Sequence, residues 1–310
     1  MASGDTSSRI SRRVFLGGLG WAAIGCATGT MRSVPTATAG SSLVELEARM
    51  GGRVGLFALN TNSGQVLAHR ADERFALCST FKWLLAAAVL ARVDRKNLAL
   101  DERVRFGPAD IIELSPVTSE HVGQGQMSLV ELAKAAVVTS DNTAANLLLT
   151  LVGGPAGLTA FLRAQGDEVS RLDRNEPALN TNLAGDPRDT TSPRAMVGTL
   201  RTLLTTDALS AASRERLIGW MVECQTGGQR LRAGLPPHWR VGDKTGTGAR
   251  GAVNDVAIAW PAKPGPLLLA AYLSDSTWSV PELNVVHAEL GRLVAQTLFP
   301  DEVRPLTRAG

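Results

Sequence analysis

The chain has 310 residues, 44% hydrophobic and 20% charged, enough apolar material for one large core or two ordinary ones. That balance excludes an intrinsically disordered chain, and the lack of any apolar run of about 18 residues excludes a polytopic membrane protein. The net charge of +3 sits wholly in residues 1–39, as Arg9, Arg12, Arg13 and Arg32 against Asp5, so the neutral remainder does not support nucleic-acid binding.

Ser11-Arg12-Arg13-Val14-Phe15-Leu16 places two arginines directly before an apolar stretch that runs from Val14 to Ala27. Gly17, Gly18, Gly20 and Gly25 make that stretch too short and too glycine-rich for a stable transmembrane helix. The segment resembles a bacterial twin-arginine export signal, so residues 1–39 are expected to address the chain to that machinery. Ala37-Thr38-Ala39 fits a small-residue cleavage site before Gly40, whereas Ile24-Gly25-Cys26 would give a lipoprotein anchored through Cys26. Either outcome puts the protein across the cytoplasmic membrane, periplasmic or secreted.

Leu43, Leu46, Glu47 and Met50 at helical spacing predict a helix over 41–51, ended by Gly51-Gly52. Short strands are expected at Val54 to Leu59 and Gln65 to His69, joined through Asn62-Ser63-Gly64, a hairpin signal. An alanine- and leucine-rich helix follows from Thr80 to about Val93, then helical patterns at 128–137, 142–151, 155–165, 193–205 and 210–222. Strand patterns return at Trp239–Lys244, Val253–Trp260 and Leu267–Leu273, and a last helix spans Pro281–Leu298. Strands at both ends with helices between predict an α+β chain, its helical block inserted into a sheet-forming domain. The expected division is an α/β domain from 40–72 and 222–310 and an all-α domain from 73–221, with a site between them.

Three short motifs carry candidate chemistry. Ser79-Thr80-Phe81-Lys82 opens the strongest helix, with Ser79 near unsatisfied backbone N–H groups and Lys82 one turn away on the same face. A desolvated lysine there eases deprotonation of the serine or takes its proton. Ser140-Asp141-Asn142 starts another helix and offers a hydroxyl, a capping carboxylate and an amide. Lys244-Thr245-Gly246-Thr247 ends a strand pattern and suits an anionic group lying against a strand edge. Taken singly, each is equally an ordinary cap or turn.

In this order and spacing the three motifs resemble those of the serine β-lactamases and penicillin-binding proteins. Arg174-Asn175-Glu176-Pro177-Ala178-Leu179-Asn180 further resembles a loop of the class A β-lactamases, and the likeness runs over roughly residues 41–300. The resemblance implies an antiparallel sheet flanked by terminal helices, an inserted all-α domain, and hydrolysis of penicillins and cephalosporins without metal or cofactor. It assigns Ser79 as nucleophile, with Lys82, or Glu176 through a water, as its base. The backbone N–H groups of Ser79 and Thr247 would form the oxyanion hole, and Ser140 would protonate the lactam nitrogen. Asn142 would hold the substrate's side-chain amide, while Lys244, Thr245 and Thr247, with Gly246 beside them, would bind its carboxylate. Glu176 and Asn180 would position the water that releases the acyl-enzyme.

Glu176 separates the readings. A D-alanyl-D-alanine carboxypeptidase or penicillin-binding protein, or a non-hydrolysing β-lactam sensor, shares the first three motifs but lacks a dedicated deacylating glutamate. Three departures from the class A pattern stand out. Gly251-Ala252-Val253-Asn254 lacks the arginine that often helps hold the carboxylate, and Arg230 is expected to supply that charge. Leu114 stands where an aromatic residue commonly walls the site. Gly248 stands where some carbapenem-hydrolysing relatives have a cysteine, so Cys78 and Cys224 are expected as buried free thiols. His69, His121, His238 and His287 form no metal-type spacing and are read as structural or surface residues. The expected assembly is a monomer.

Overall fold

The computed structural model describes residues 32–33 and 37–303; the paired arginines and Cys26 lie outside them. Strands β1 (Arg53–Asn60), β2 (Gln65–His69), β3 (Arg240–Thr247), β4 (Val253–Trp260) and β5 (Leu267–Ser274) form one antiparallel sheet in the order β2-β1-β5-β4-β3. Arg32–Ser33 adds a two-residue parallel edge beside β2. The first two strands therefore meet the last three across the whole intervening chain, and the predicted α+β arrangement of sheet and inserted helical block is the observed one. At the hairpin, Asn60 Oδ1 accepts the N–H groups of Asn62 and Ser63, and Gly64 adopts φ +70°.

Period-two alternation splits the sheet between two cores. Phe57 and Leu59 of β1, Val256 and Ile258 of β4, and Leu268, Ala270 and Tyr272 of β5 face the helical block. Val54, Leu56, Ala58, Ala257, Leu269 and Ala271 face the terminal helices α1 (Ala37–Met50) and α8 (Val280–Leu298), meeting Leu43, Met50, Leu283, Val286 and Leu290. Strand β5 is buried along its entire length because helices cover both faces, which explains its unbroken run LLLAAYL. Helix α1 begins at Ala37, four residues before its expected start, so Ala37-Thr38-Ala39 lies in its first turn.

The central helix α2 (Phe81–Asp94) is buried from Phe81 to Ala91 and packs against α3 (Leu129–Val138), α4 (Asn142–Val152), α5 (Gly154–Ala164) and α7 (Ala211–Val222). A helix apolar on every side has no solvent face, so its position is set by four neighbours at once. Helix α6 (Pro193–Thr205) crosses back onto β1 and β5, which joins the helical block and one sheet face in a single core. Two small ribbons, Phe75–Ala76 with Thr190–Thr191 and Arg103–Arg105 with Gln126–Ser128, had no periodic signal because each strand is only two or three residues long.

Candidate active site

Ser79 lies in a 3-10 turn, Cys78–Thr80, immediately before α2. Its hydroxyl does not cap the helix; it donates to Glu176 Oε1 at 3.2 Å. The preceding residue, Cys78, is held at φ +44°, a left-handed conformation costly for a residue with a Cβ. Gly246 of β3 lies against this turn. A Cβ there would come within 3.0 Å of Leu77 O and 3.1 Å of Ser79 N, so only glycine lets the strand approach the serine so closely. That approach brings the backbone of β3 beside Ser79 N.

Lys82, one turn into α2, is fully buried. Its Nζ donates to Ser140 O at 2.7 Å and to Asn142 Oδ1, and lies 3.1 Å from Glu176 Oε1. Burial pulls its pKa below the ordinary lysine value, while the Glu176 charge opposes the shift. Glu176 Oε2 accepts Asn180 Nδ2 at 2.5 Å, so the carboxylate is gripped at both oxygens.

Ser140 sits at φ +62° in the bend before α4, held there because Asp141 caps that helix through the Ala144 N–H. The same carboxylate accepts the N–H groups of Val117 and Thr118, tying the loop that carries Leu114 to the SDN bend. Ser140 Oγ lies 3.0 Å from Lys244 Nζ and 3.4 Å from Lys82 Nζ, between two ammonium groups. Burial lowers the Lys244 pKa to about 8, and the nearby Lys82 charge adds to the shift. Asn142 donates from Nδ2 to Glu113 O at 2.9 Å.

Arg230 is 5% exposed and aims its guanidinium at the end of β3, donating to Gly246 O, Asn254 O and Thr247 Oγ1 at 2.7–2.8 Å. It is not the surface arginine that its loop position allowed. Thr245 Oγ1 pairs with Thr226 Oγ1 at 2.5 Å. Together with Ser79, Ser140, Asn142, Gly246 and Thr247, these residues line a cavity of about 630 Å³ between the helical block and the edge strand β3. Leu114, 72% exposed, stands at its wall. Lys82, Glu176 and Lys244 are buried just behind this lining, within hydrogen-bond reach of Ser79 or Ser140, and Asn180 reaches Glu176; none of the four histidines lines the cavity.

The sequence reading missed the supports. Asn146 accepts Glu176 N–H and donates to Glu176 O, both at 3.0 Å. Its only sequence signal was a second amide four residues after Asn142, one helical turn along α4. Asp189, fully buried, accepts the N–H groups of Asp173 and Arg174 and pairs with the Arg174 guanidinium, closing the loop that carries Glu176. Cys78 and Cys224 are buried free thiols; burial pushes Cys78 up to about 12. Gly248 leaves room for the Cys78 sulfur, which would lie 2.7 Å from a Cβ there.

Residues 39–298 match the model of the β-lactamase enzyme family. The chain belongs to that family. It is 47% identical to β-lactamase L2 of Stenotrophomonas maltophilia over 268 residues, covering 85% of this chain and 88% of the relative. It is 44% identical to the carbapenem-hydrolysing β-lactamase KPC of Klebsiella oxytoca, covering 85% and 92%. An ancestral class A β-lactamase structure superposes with a TM-score of 0.82 at 56% identity, over 84% of this chain and 99% of the other. The class A fold and the β-lactam hydrolase character of the chain follow.

Proposed function

We infer that this β-lactamase opens penicillins and cephalosporins through an acyl-enzyme on Ser79 and so confers resistance to them. The observation that carries the reading is the shared carboxylate: Ser79 Oγ at 3.2 Å and Lys82 Nζ at 3.1 Å both reach Glu176 Oε1, while Asn180 holds Oε2. A base already hydrogen-bonded to the nucleophile can take its proton as the Ser79 oxygen adds to the lactam carbonyl. The oxygen of that carbonyl gains charge facing the N–H groups of Ser79 and Thr247, fixed donors that need no reorganisation. Collapse breaks the C–N bond, and Ser140, beside Lys82 and Lys244, gives its proton to the leaving nitrogen. The proton that Glu176 took from Ser79 passes through Lys82, 3.1 Å from Glu176 Oε1 and 3.4 Å from Ser140 Oγ, to Ser140, which leaves Glu176 a carboxylate again.

The substrate carboxylate lies against Lys244, Thr245, Thr247 and Arg230. Asn142 keeps a second N–H for the side-chain amide carbonyl, since one amide nitrogen carries two donors. A water placed between Glu176 and Asn180 then gives its proton to Glu176 as its oxygen adds to the ester, and Ser79 leaves with a proton restored. The discriminating experiment measures turnover and intact mass with benzylpenicillin and a chromogenic cephalosporin. Sustained turnover is expected, with Glu176→Ala trapping one covalent adduct. A fall in release from about 10² to about 10⁻⁴ per second corresponds to roughly 8 kcal/mol of barrier. A single stoichiometric burst in the unaltered protein would instead make it a penicillin-binding enzyme or sensor.

Export by the twin-arginine machinery to the periplasm or beyond belongs to the same reading, supported by Arg12-Arg13 and the apolar run after them. Replacing both arginines with lysine should leave activity in the cytoplasmic fraction; unchanged export would remove the idea. The mature protein is expected to be a monomer, which light scattering on the purified chain checks.

A further inference from the structure

Arg230 is held in an unusual way. Its four guanidinium bonds reach Asn284 Oδ1, Gly246 O, Asn254 O and Thr247 Oγ1, all of them neutral oxygens. Among the described residues no carboxylate makes a hydrogen bond to this guanidinium, although the Asp255 and Asp243 charges act on it from further off, so its N–H face stays open to an anionic ligand. The side chain projects from a bend, since Arg230 N–H donates to Gly227 O and the next residues, Leu231–Gly234, make a single helical turn. The first N–H of such a turn has no partner within the turn itself. Here Leu231 N–H donates to Asp255 Oδ2 at 3.1 Å.

Asp255 is fully buried on β4, next to Asn254. The two consecutive residues hold Arg230 from both ends: the Asn254 carbonyl takes its guanidinium, and the Asp255 side chain takes the peptide N–H that follows it. Burial holds the Asp255 carboxyl well above its usual range, and its Oδ2 accepts the Leu231 N–H in either protonation state. Arg232, two residues on, is fastened to Asp243 of β3.

We propose that Asp255 is a positioning residue for substrate binding: by holding Leu231 N–H it sets where Arg230 presents its guanidinium to the substrate carboxylate. The proposal rests on Arg230 binding that carboxylate. Arg230→Ala tests that premise by itself, so an unchanged KM there would remove the premise rather than the role of Asp255 alone. With the premise met, Asp255→Ala should raise KM for benzylpenicillin roughly tenfold while kcat stays within about twofold, the effect of one lost hydrogen bond to an ionisable group. Asp255→Asn keeps an acceptor at the same place and should restore KM to near the unaltered value. Asp255→Val, branched and without an acceptor, replaces the alanine variant if that one does not fold. In an Arg230→Ala background the Asp255 substitution should add less than a twofold change. An additive KM effect in that background, a KM unmoved by Asp255→Ala, or failure of asparagine to rescue would each overturn the proposal.

Discussion

Replacing Asn146 with alanine removes two hydrogen bonds from the backbone of Glu176 without touching any group that reacts. Both are 3.0 Å long, and they hold the N–H and the C=O of the same peptide unit pair, fixing the glutamate's Cα against α4. At about 1 kcal/mol net for each bond, the loop loses about 2 kcal/mol of its preference for the productive position. If that position is required to activate the deacylating water, release should slow by a factor of about 30. Stopped-flow separation of acylation from deacylation, with intact mass at steady state, reads this directly: acyl-enzyme should accumulate where the unaltered protein shows none. The melting temperature should fall by roughly 3–4 °C for a chain of this size. Asn146→Asp keeps an acceptor for the Glu176 N–H but loses the donor, and should fall between the two. A deacylation rate within about twofold of the unaltered protein, alongside the full fall in melting temperature, would show that Asn146 supports the fold and not the placement of Glu176.

Gly246→Ala would put a Cβ 3.0 Å from Leu77 O and 3.1 Å from Ser79 N, so β3 must retreat from the serine turn. We expect kcat to drop by roughly 5- to 150-fold, the scale of a 1–3 kcal/mol steric displacement beside the serine turn, with kcat measured on benzylpenicillin. Lys244 titrates at about 8 because it is buried, so its charge is present below that pH and lost above it. KM for carboxylate-bearing substrates should therefore climb as pH passes 8, with a flat KM up to pH 10 counting against its role. Cys78, pushed up to about 12 by burial, should resist a thiol reagent in the folded protein and react only on unfolding.

Much of this architecture was legible without coordinates because it is local. Leu43, Leu46 and Met50 at helical spacing and the unbroken apolar run of Leu267–Leu273 report the surroundings of each side chain, and those surroundings repeat along the element. The four motifs were readable for the same reason, since Ser79 and Lys82, or Glu176 and Asn180, are joined within a single helical turn or short loop. Asn146 and Asp255 were not readable. Asn146 reaches its partner through two hydrogen bonds across the fold and Asp255 through one, and an amide on a helix or an acid on a strand has no periodicity that announces such a bond.

Sequence alone determined which side chains were available and which secondary element would carry each, because helix and strand periods, caps and turns depend on neighbours a few residues away. Only the tertiary structure decided their meeting. Ser79 and Glu176 are 97 residues apart, and Ser140 and Lys244 are 104 apart. These pairs are closed by packing of α2 among four helices and by the approach of β3 to the serine turn. The lowered pKa values of Lys82 and Lys244 likewise come from burial, and burial is a property of the whole fold.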